Sequence, residues 1–180
     1  MPSIATRTLR GALGGAAAAA VWALQQPLDR RVFGVEHDDT ELLGRLVVRS
    51  GSWQVAGVGL HLVNGALFGA AYANVAPSLP VPAALRGPLA GLAEHVATWP
   101  GTAVSDRMHP ARSDLPRLWG SGRAFAQSAW RHALFGLVLG ELERRLNPPE
   151  EIALPVDDMT ISTNGHGSRE RVATPGPSKP

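Results

Sequence analysis

A chain of 180 residues with no cysteine and a formal net charge of +2 has the length of one domain. Without cysteine it has no disulfide framework and no thiolate metal or redox site. Its basic side chains are nearly all arginines scattered along the chain, with Lys179 the only lysine, so it lacks the basic stripe that nucleic acid requires. The mean hydropathy lies near zero, but that average hides long apolar stretches diluted by charged connections and a polar tail.

The first stretch, Gly11 to Leu28, carries no charge and is flanked by Arg7 and Arg10 before it and by Asp29, Arg30 and Arg31 after it. Its length suits a membrane span. The alternative is a cleaved leader with Val21-Trp22-Ala23 at the cleavage point. The connection from Asp29 to Ser52 holds Glu41, Arg45 and Arg49 at helical spacing opposite Leu42, Leu43, Leu46 and Val47. This pattern predicts a short amphipathic helix lying in the membrane interface, capped by Asp39 or Thr40.

From Ser50 to Leu85, 36 consecutive residues lack Asp, Glu, Lys and Arg. A surface helix of a soluble protein needs a polar face, and this stretch has no charged one. A span is expected over 53–76, with Trp53 and Tyr72 near its ends, where amphipathic aromatics sit at headgroups. Pro77, Pro80 and Pro82 stop it. A third span is expected over 87–105, interrupted by Glu94-His95, and a fourth over 124–142, interrupted by Arg131-His132. The connection from Asp106 to Arg123 lies on the same side as the first. Arg30, Arg31, Arg45 and Arg49, with Arg107, Arg112, Arg117 and Arg123, lean both connections toward the cytoplasm against Arg7, Arg10, Arg86, Arg144 and Arg145 opposite. Asn147-Pro148-Pro149 closes the last helix. The membrane domain is thus expected over 1–147, and residues 148–180, rich in Pro, Ser, Thr and Gly, read as a disordered tail.

The two halves read alike. Gly11-Ala12-Leu13-Gly14-Gly15, Trp22 and Asp29-Arg30 recur as Gly87-Pro88-Leu89-Ala90-Gly91, Trp99 and Asp106-Arg107, and Ala66-Leu67-Phe68-Gly69 recurs as Ala133-Leu134-Phe135-Gly136. A duplicated helical hairpin follows, the two copies related by an axis along the membrane normal. Each span also carries a pair of glycines four apart: Gly11 and Gly15, Gly65 and Gly69, Gly87 and Gly91, Gly136 and Gly140. In lipid such faces let helix backbones approach closely, within one chain or between copies in a homo-oligomer.

His61, Asn64, Glu94, His95, Arg131 and His132 fall at similar depth in spans two, three and four. Ionisable groups at such depth face a bundle interior or a water-filled cavity. In a structural role, Glu94 and Arg131 neutralise one another across the third and fourth spans. In a functional one, Glu94 and the three histidines form a proton or ion site at the midplane. Histidines on separate helices also suit haem, and Glu36, His37, Asp38 and Asp39 with Asp106 and His109 suit a surface cation. No catalytic residue, resident metal or cofactor is assigned, because the chain has no nucleophile elbow, phosphate loop, HExxH or dinucleotide fingerprint.

The run Trp22-Ala23-Leu24-Gln25-Gln26-Pro27-Leu28-Asp29, together with Ala124-Phe125-Ala126-Gln127, His132-Ala133-Leu134-Phe135-Gly136 and Gly140-Glu141-Leu142-Glu143-Arg144-Arg145, resembles small multi-pass membrane proteins of actinobacteria. It is more distantly similar to the YagU-like inner-membrane family. The resemblance spans residues 8 to 147 and implies a protein of the bacterial cytoplasmic membrane, with no catalytic or binding residues to carry over. The expectation is an all-α integral membrane bundle of four spans. It is non-enzymatic and serves either as a packing and assembly module or as a proton- or ion-handling protein, with the lipid bilayer and a second copy of itself as partners.

Overall fold

The computed structural model describes residues 3–48 and 51–148, and these are all-helical. Six α-helices follow one another: α1 Ile4–Phe33, α2 Asp39–Val47, α3 Trp53–Val75, α4 Ala83–Thr98, α5 Gly101–Met108 and α6 Gly122–Leu146. The tail beyond 148 and the Arg49-Ser50 junction lie outside the described residues.

The helix limits differ from the charge-free stretches for local reasons. α1 starts where Ser3 Oγ accepts from the Thr6 N–H at 3.1 Å and ends at Gly34, whose φ of 64° is a left-handed conformation that glycine adopts without a Cβ penalty. It runs through Pro27, which removes one backbone donor. Asp29, expected in the connection, therefore lies on α1, on one side with Trp22 and Gln26, where all three are buried. α2 is capped by Asp38, not by Asp39 or Thr40. Asp38 Oδ1 accepts from the Thr40 and Glu41 N–H groups at 2.8 and 3.2 Å. Nor does α2 stand alone in the interface. It docks on the first turns of α3, where Gly44 meets the Trp53 carbonyl and Gly57 meets that of Thr40 so closely that a Cβ on either would overlap it.

The third expected span is broken. Pro100 has no N–H to continue the ladder, so the helix stops at Thr98 and restarts as α5 at Gly101. The 16 residues of α4 rise only about 24 Å, less than a hydrocarbon core of about 30 Å. Among the described residues, one segment, Trp53–Ser78, is long and apolar enough to cross a membrane.

α3 packs on α1, α1 on α6, and α6 on α4, while α3 and α4 barely touch. The glycine pairs make the first and last of these contacts. A Cβ on Gly11 would overlap the Gly69 carbonyl, and one on Gly15 that of Gly65. In the other hairpin, Gly87 meets the Gly136 carbonyl and Gly91 that of His132. Counted by the Phe68–Phe135 correspondence, these are equivalent registers. Phe68 and Phe135 themselves meet edge to face at 5.5 Å. The apolar core is small, with Ala18, Ala19, Trp22, Tyr72, Phe135 and Leu139 at its centre.

Candidate functional site

Two polar assemblies lie inside the bundle. The first surrounds Arg131, which is wholly buried. Its Nε donates to Asp29 Oδ2 at 2.7 Å and one terminal nitrogen to Asp29 Oδ1 at 2.5 Å. The other terminal nitrogen donates to Asp39 Oδ2 at 2.6 Å. Gln127, one turn earlier on α6, donates to Asp29 Oδ1 at 2.7 Å, and Gln25 to Asp29 Oδ2 at 2.6 Å. Trp22 Nε1 donates to Asp39 at 3.0 Å, and the Asp39 N–H donates to Gln26 Oε1 at 3.0 Å. Arg30 holds Asp38. Burial works against a charge on Asp39, but the adjacent His37, then Arg131 and His61, outweigh it and hold the carboxyl well below the usual carboxylate range.

This arrangement corrects the expected Glu94–Arg131 pair. Arg131 is engaged by Asp29 of α1, by Asp39 at the start of α2 and by the His37 carbonyl in the turn before it, and all these partners lie at the connection end of the bundle. Glu94 instead reaches His132, with His132 Nε2 at 3.2 Å from Glu94 Oε2. A planar guanidinium takes a carboxylate side-on through two parallel bonds, and Asp29 on the neighbouring α1 offers that geometry.

The second assembly is a chamber of about 190 Å³ between α3 and α4, floored by α1 and α6. His61, Asn64, Glu94, His95 and His132 line it, so five of the six expected residues meet and Arg131 stands outside. His61 Nε2 lies 3.2 Å from the Ala19 carbonyl. His132 Nδ1 lies 2.8 Å from the Ser128 carbonyl. The His132 ring sits 5.0 Å from that of His95 and 4.6 Å from that of Trp22. His95 is 1% exposed, yet its Nε2 is buried with no hydrogen-bond partner among the described residues. Asp39 and His37 close the chamber at the connection end, 3.1 Å apart.

The proposed surface cation site does not assemble. Asp38 and Asp39 are committed as above, Asp106 accepts from the Leu118 and Trp119 N–H groups, and His109 Nε2 lies 3.0 Å from the Leu42 carbonyl. Among the described residues, no three of His, Asp and Glu converge to hold a metal ion.

From the sequence, His37 and Asp39 entered only as candidates for a surface cation, Trp22 and Asp29 only as marks of the repeat, and Gln26 and Gln127 with no role of their own. A signal was present. Trp22, Gln26 and Asp29 follow one another at four and three residues, and Gln127 and Arg131 are four apart, spacings that mark one face of a helix. No family model, curated protein or solved structure matches the chain.

Proposed function

We propose that the protein is a non-enzymatic integral membrane protein, a duplicated hairpin of four membrane-crossing segments, whose histidine–glutamate chamber handles protons. The membrane reading is supported by an inverted distribution of polarity. Leu13, Leu24, Val55, Leu67, Leu89 and Leu137 face outward, while Gln127, Arg131, His61 and His95 are buried. Only 28% of the apolar window in Trp53–Ser78 is buried, whereas a soluble protein would wrap such a helix in its core. Soluble monomers rarely leave large contiguous apolar surface exposed. The bacterial cytoplasmic membrane is the setting that the family resemblance implies.

The observation that carries the proton reading is the convergence of His61, His95 and His132, from three helices, on one chamber with Glu94. Histidine changes charge near neutral pH, and Glu94 lies within reach of His132. The titratable series continues through Asp39 and His37 to a second recess, which His37 shares with Asp106, His109 and Arg112 at the connection face. The packing-module reading has less support, because all eight expected glycines meet partners inside the chain and leave no such pair free for a second copy.

The test is proton entry into vesicles. Purified protein in liposomes holding a trapped pH dye is expected to acidify the lumen after an acid jump faster than protein-free vesicles. Glu94→Gln, reconstituted to the same level, is expected to return the rate to the protein-free value. Equal rates for native protein and empty vesicles would end the proton reading.

A further inference from the structure

The end of the bundle opposite the connections carries a polar feature that the proton reading does not use. Where the start of α1, the end of α3, the start of α4 and the end of α6 meet, a cavity of about 180 Å³ is lined by Arg7, Tyr72, Arg86, Glu143, Arg144 and Asn147 among others. Three arginines stand there against one glutamate. That glutamate is already engaged. Asn147 Nδ2 donates to Glu143 Oε2 at 2.6 Å, and Arg7 Nε lies 4.0 Å from Glu143 Oε1. Arg144 is partly spent outside the cavity, with one terminal nitrogen 3.3 Å from Glu141 Oε2.

Arg7 and Arg86 are different. Both are half-buried. Arg86 Nε donates to the Val81 carbonyl at 3.1 Å, which holds its stem and leaves its fork free. Among the described residues, the terminal nitrogens of Arg7 and Arg86 have no hydrogen-bond partner, and they are not sealed away as Arg7 Nε is. The Tyr72 hydroxyl stands beside Gly140 on the same cavity wall and is likewise accessible and unpartnered among the described residues. Two guanidinium forks from different helices and one hydroxyl thus share a cavity that holds no acceptor for them beyond Glu143.

The depth of the cavity follows from the sequence. Arg7 precedes the first expected span, Arg86 precedes the third, and Glu143 and Arg144 follow the fourth. On the membrane reading the cavity therefore stands at headgroup level.

We propose that this cavity binds a phosphate group, with Arg7 and Arg86 as its cationic partners and the Tyr72 hydroxyl as a third donor. A planar guanidinium donates side-on to two phosphate oxygens at once, and forks already held in place lose less freedom on binding. A cationic group would meet three arginines and a carboxylate whose two oxygens are attended. At headgroup level the source of the phosphate is an anionic lipid of the phosphatidylglycerol kind, because a zwitterionic head would bring its ammonium among the arginines. The lipid source rests on the membrane reading, and nothing in this site rests on proton transfer.

The test uses the full chain in neutral detergent micelles. An equimolar mixture of phosphatidylglycerol and phosphatidylcholine is added, and bound lipid is counted by native mass spectrometry. Phosphatidylglycerol is expected to be retained severalfold over phosphatidylcholine. Arg86→Gln, which gives up one hydrogen bond inside the chain, is expected to remove that preference. Tyr72→Phe is expected to weaken it and supplies a second variant should Arg86→Gln misfold. Arg145→Gln, at the same end but off the cavity, is expected to keep it. Equal preference in native protein and Arg86→Gln, or an equal loss in Arg145→Gln, would overturn the site. A second arm measures the melting temperature in inorganic phosphate against chloride at matched ionic strength. A phosphate-dependent rise that Arg86→Gln abolishes, with no lipid preference, would keep the site and make free phosphate its occupant. This arm reads the cavity whether or not the chain lies in a membrane, so it separates failure of the site from failure of the membrane reading. Neither a lipid preference nor a phosphate-dependent rise would overturn the proposal. A preference that emerges only when Glu150 and Glu151 are both changed to Gln would overturn it in favour of the chain's own carboxylates.

Discussion

Asp29 accepts hydrogen bonds from Gln25, Gln127 and two nitrogens of Arg131, and that saturation sets the cost of disturbing any member. Arg131→Met leaves Asp29 buried without its counter-charge and takes a partner from Asp39. The expected loss is about 3–5 kcal/mol, read as a fall in unfolding stability of the protein in detergent micelles. Glu94→Gln is expected to cost much less, since Glu94 is only half-buried. Equal losses in the two variants would restore Glu94 as the main partner. Asp39 gives a pH prediction with a definite sign. Its carboxyl is held well below the ordinary aspartate value of 3.8, so its stabilising charge is present above that value and is lost as pH falls through the folded value. The stability difference between native protein and Asp39→Asn should persist down to about pH 4 and shrink below it. Melting temperatures across an acid series check this, and a difference that vanishes above pH 5 would contradict it.

At the scale of helices, close backbone approach governs tolerance. Gly15 and Gly91 sit against the carbonyls of Gly65 and His132, whereas nothing lies within 4 Å of a Cβ built on Gly59. Gly15→Ala and Gly91→Ala are each expected to cost about 1–3 kcal/mol through overpacking. Gly59→Ala, in a helix interior with open space around it, should instead stabilise by roughly 0.5–1 kcal/mol. Thermal unfolding of the three variants separates the two classes, and a neutral Gly15→Ala would mean that the α1–α3 contact is looser than described. The glycine positions were legible because spacing alone defines a helix face. The break in the third apolar stretch was legible in principle, at Pro100, but counting charges does not register a missing backbone donor. The docking of α2 on α3 was not legible, because an amphipathic pattern gives a direction for burial and not the identity of what covers it.

For the whole molecule, the four-span reading predicts a side for every connection. Location reporters fused after Gly34, Leu79, Arg112 and Asn147 are expected to alternate between the two sides of the membrane, with Gly34 and Arg112 sharing the cytoplasmic side. Failure to switch between Leu79 and Arg112 would put α4 and α5 outside the bilayer, and the chamber would then open to water along its α4 wall. The short α4 makes that crossing the most demanding of the four. On that reading its 16 residues fall short of the distance, and the 8 residues of α5 have to complete it.

The sequence alone determined that the described residues are helical, where the apolar stretches run, and which glycines stand four apart on one helix face, because periodicity and charge exclusion act over a few consecutive turns. It also carried the likeness of the two halves. Only the tertiary structure decided which charges pair. Glu94 and Arg131 lie at similar depth in neighbouring stretches, yet α1 carries Asp29 past the expected end of its span and presents it to Arg131 in a geometry that takes the guanidinium side-on. Depth along a helix can be counted from residue numbers. The angular position of a side chain around its helix, and the helix that faces it, follow from packing across the whole bundle.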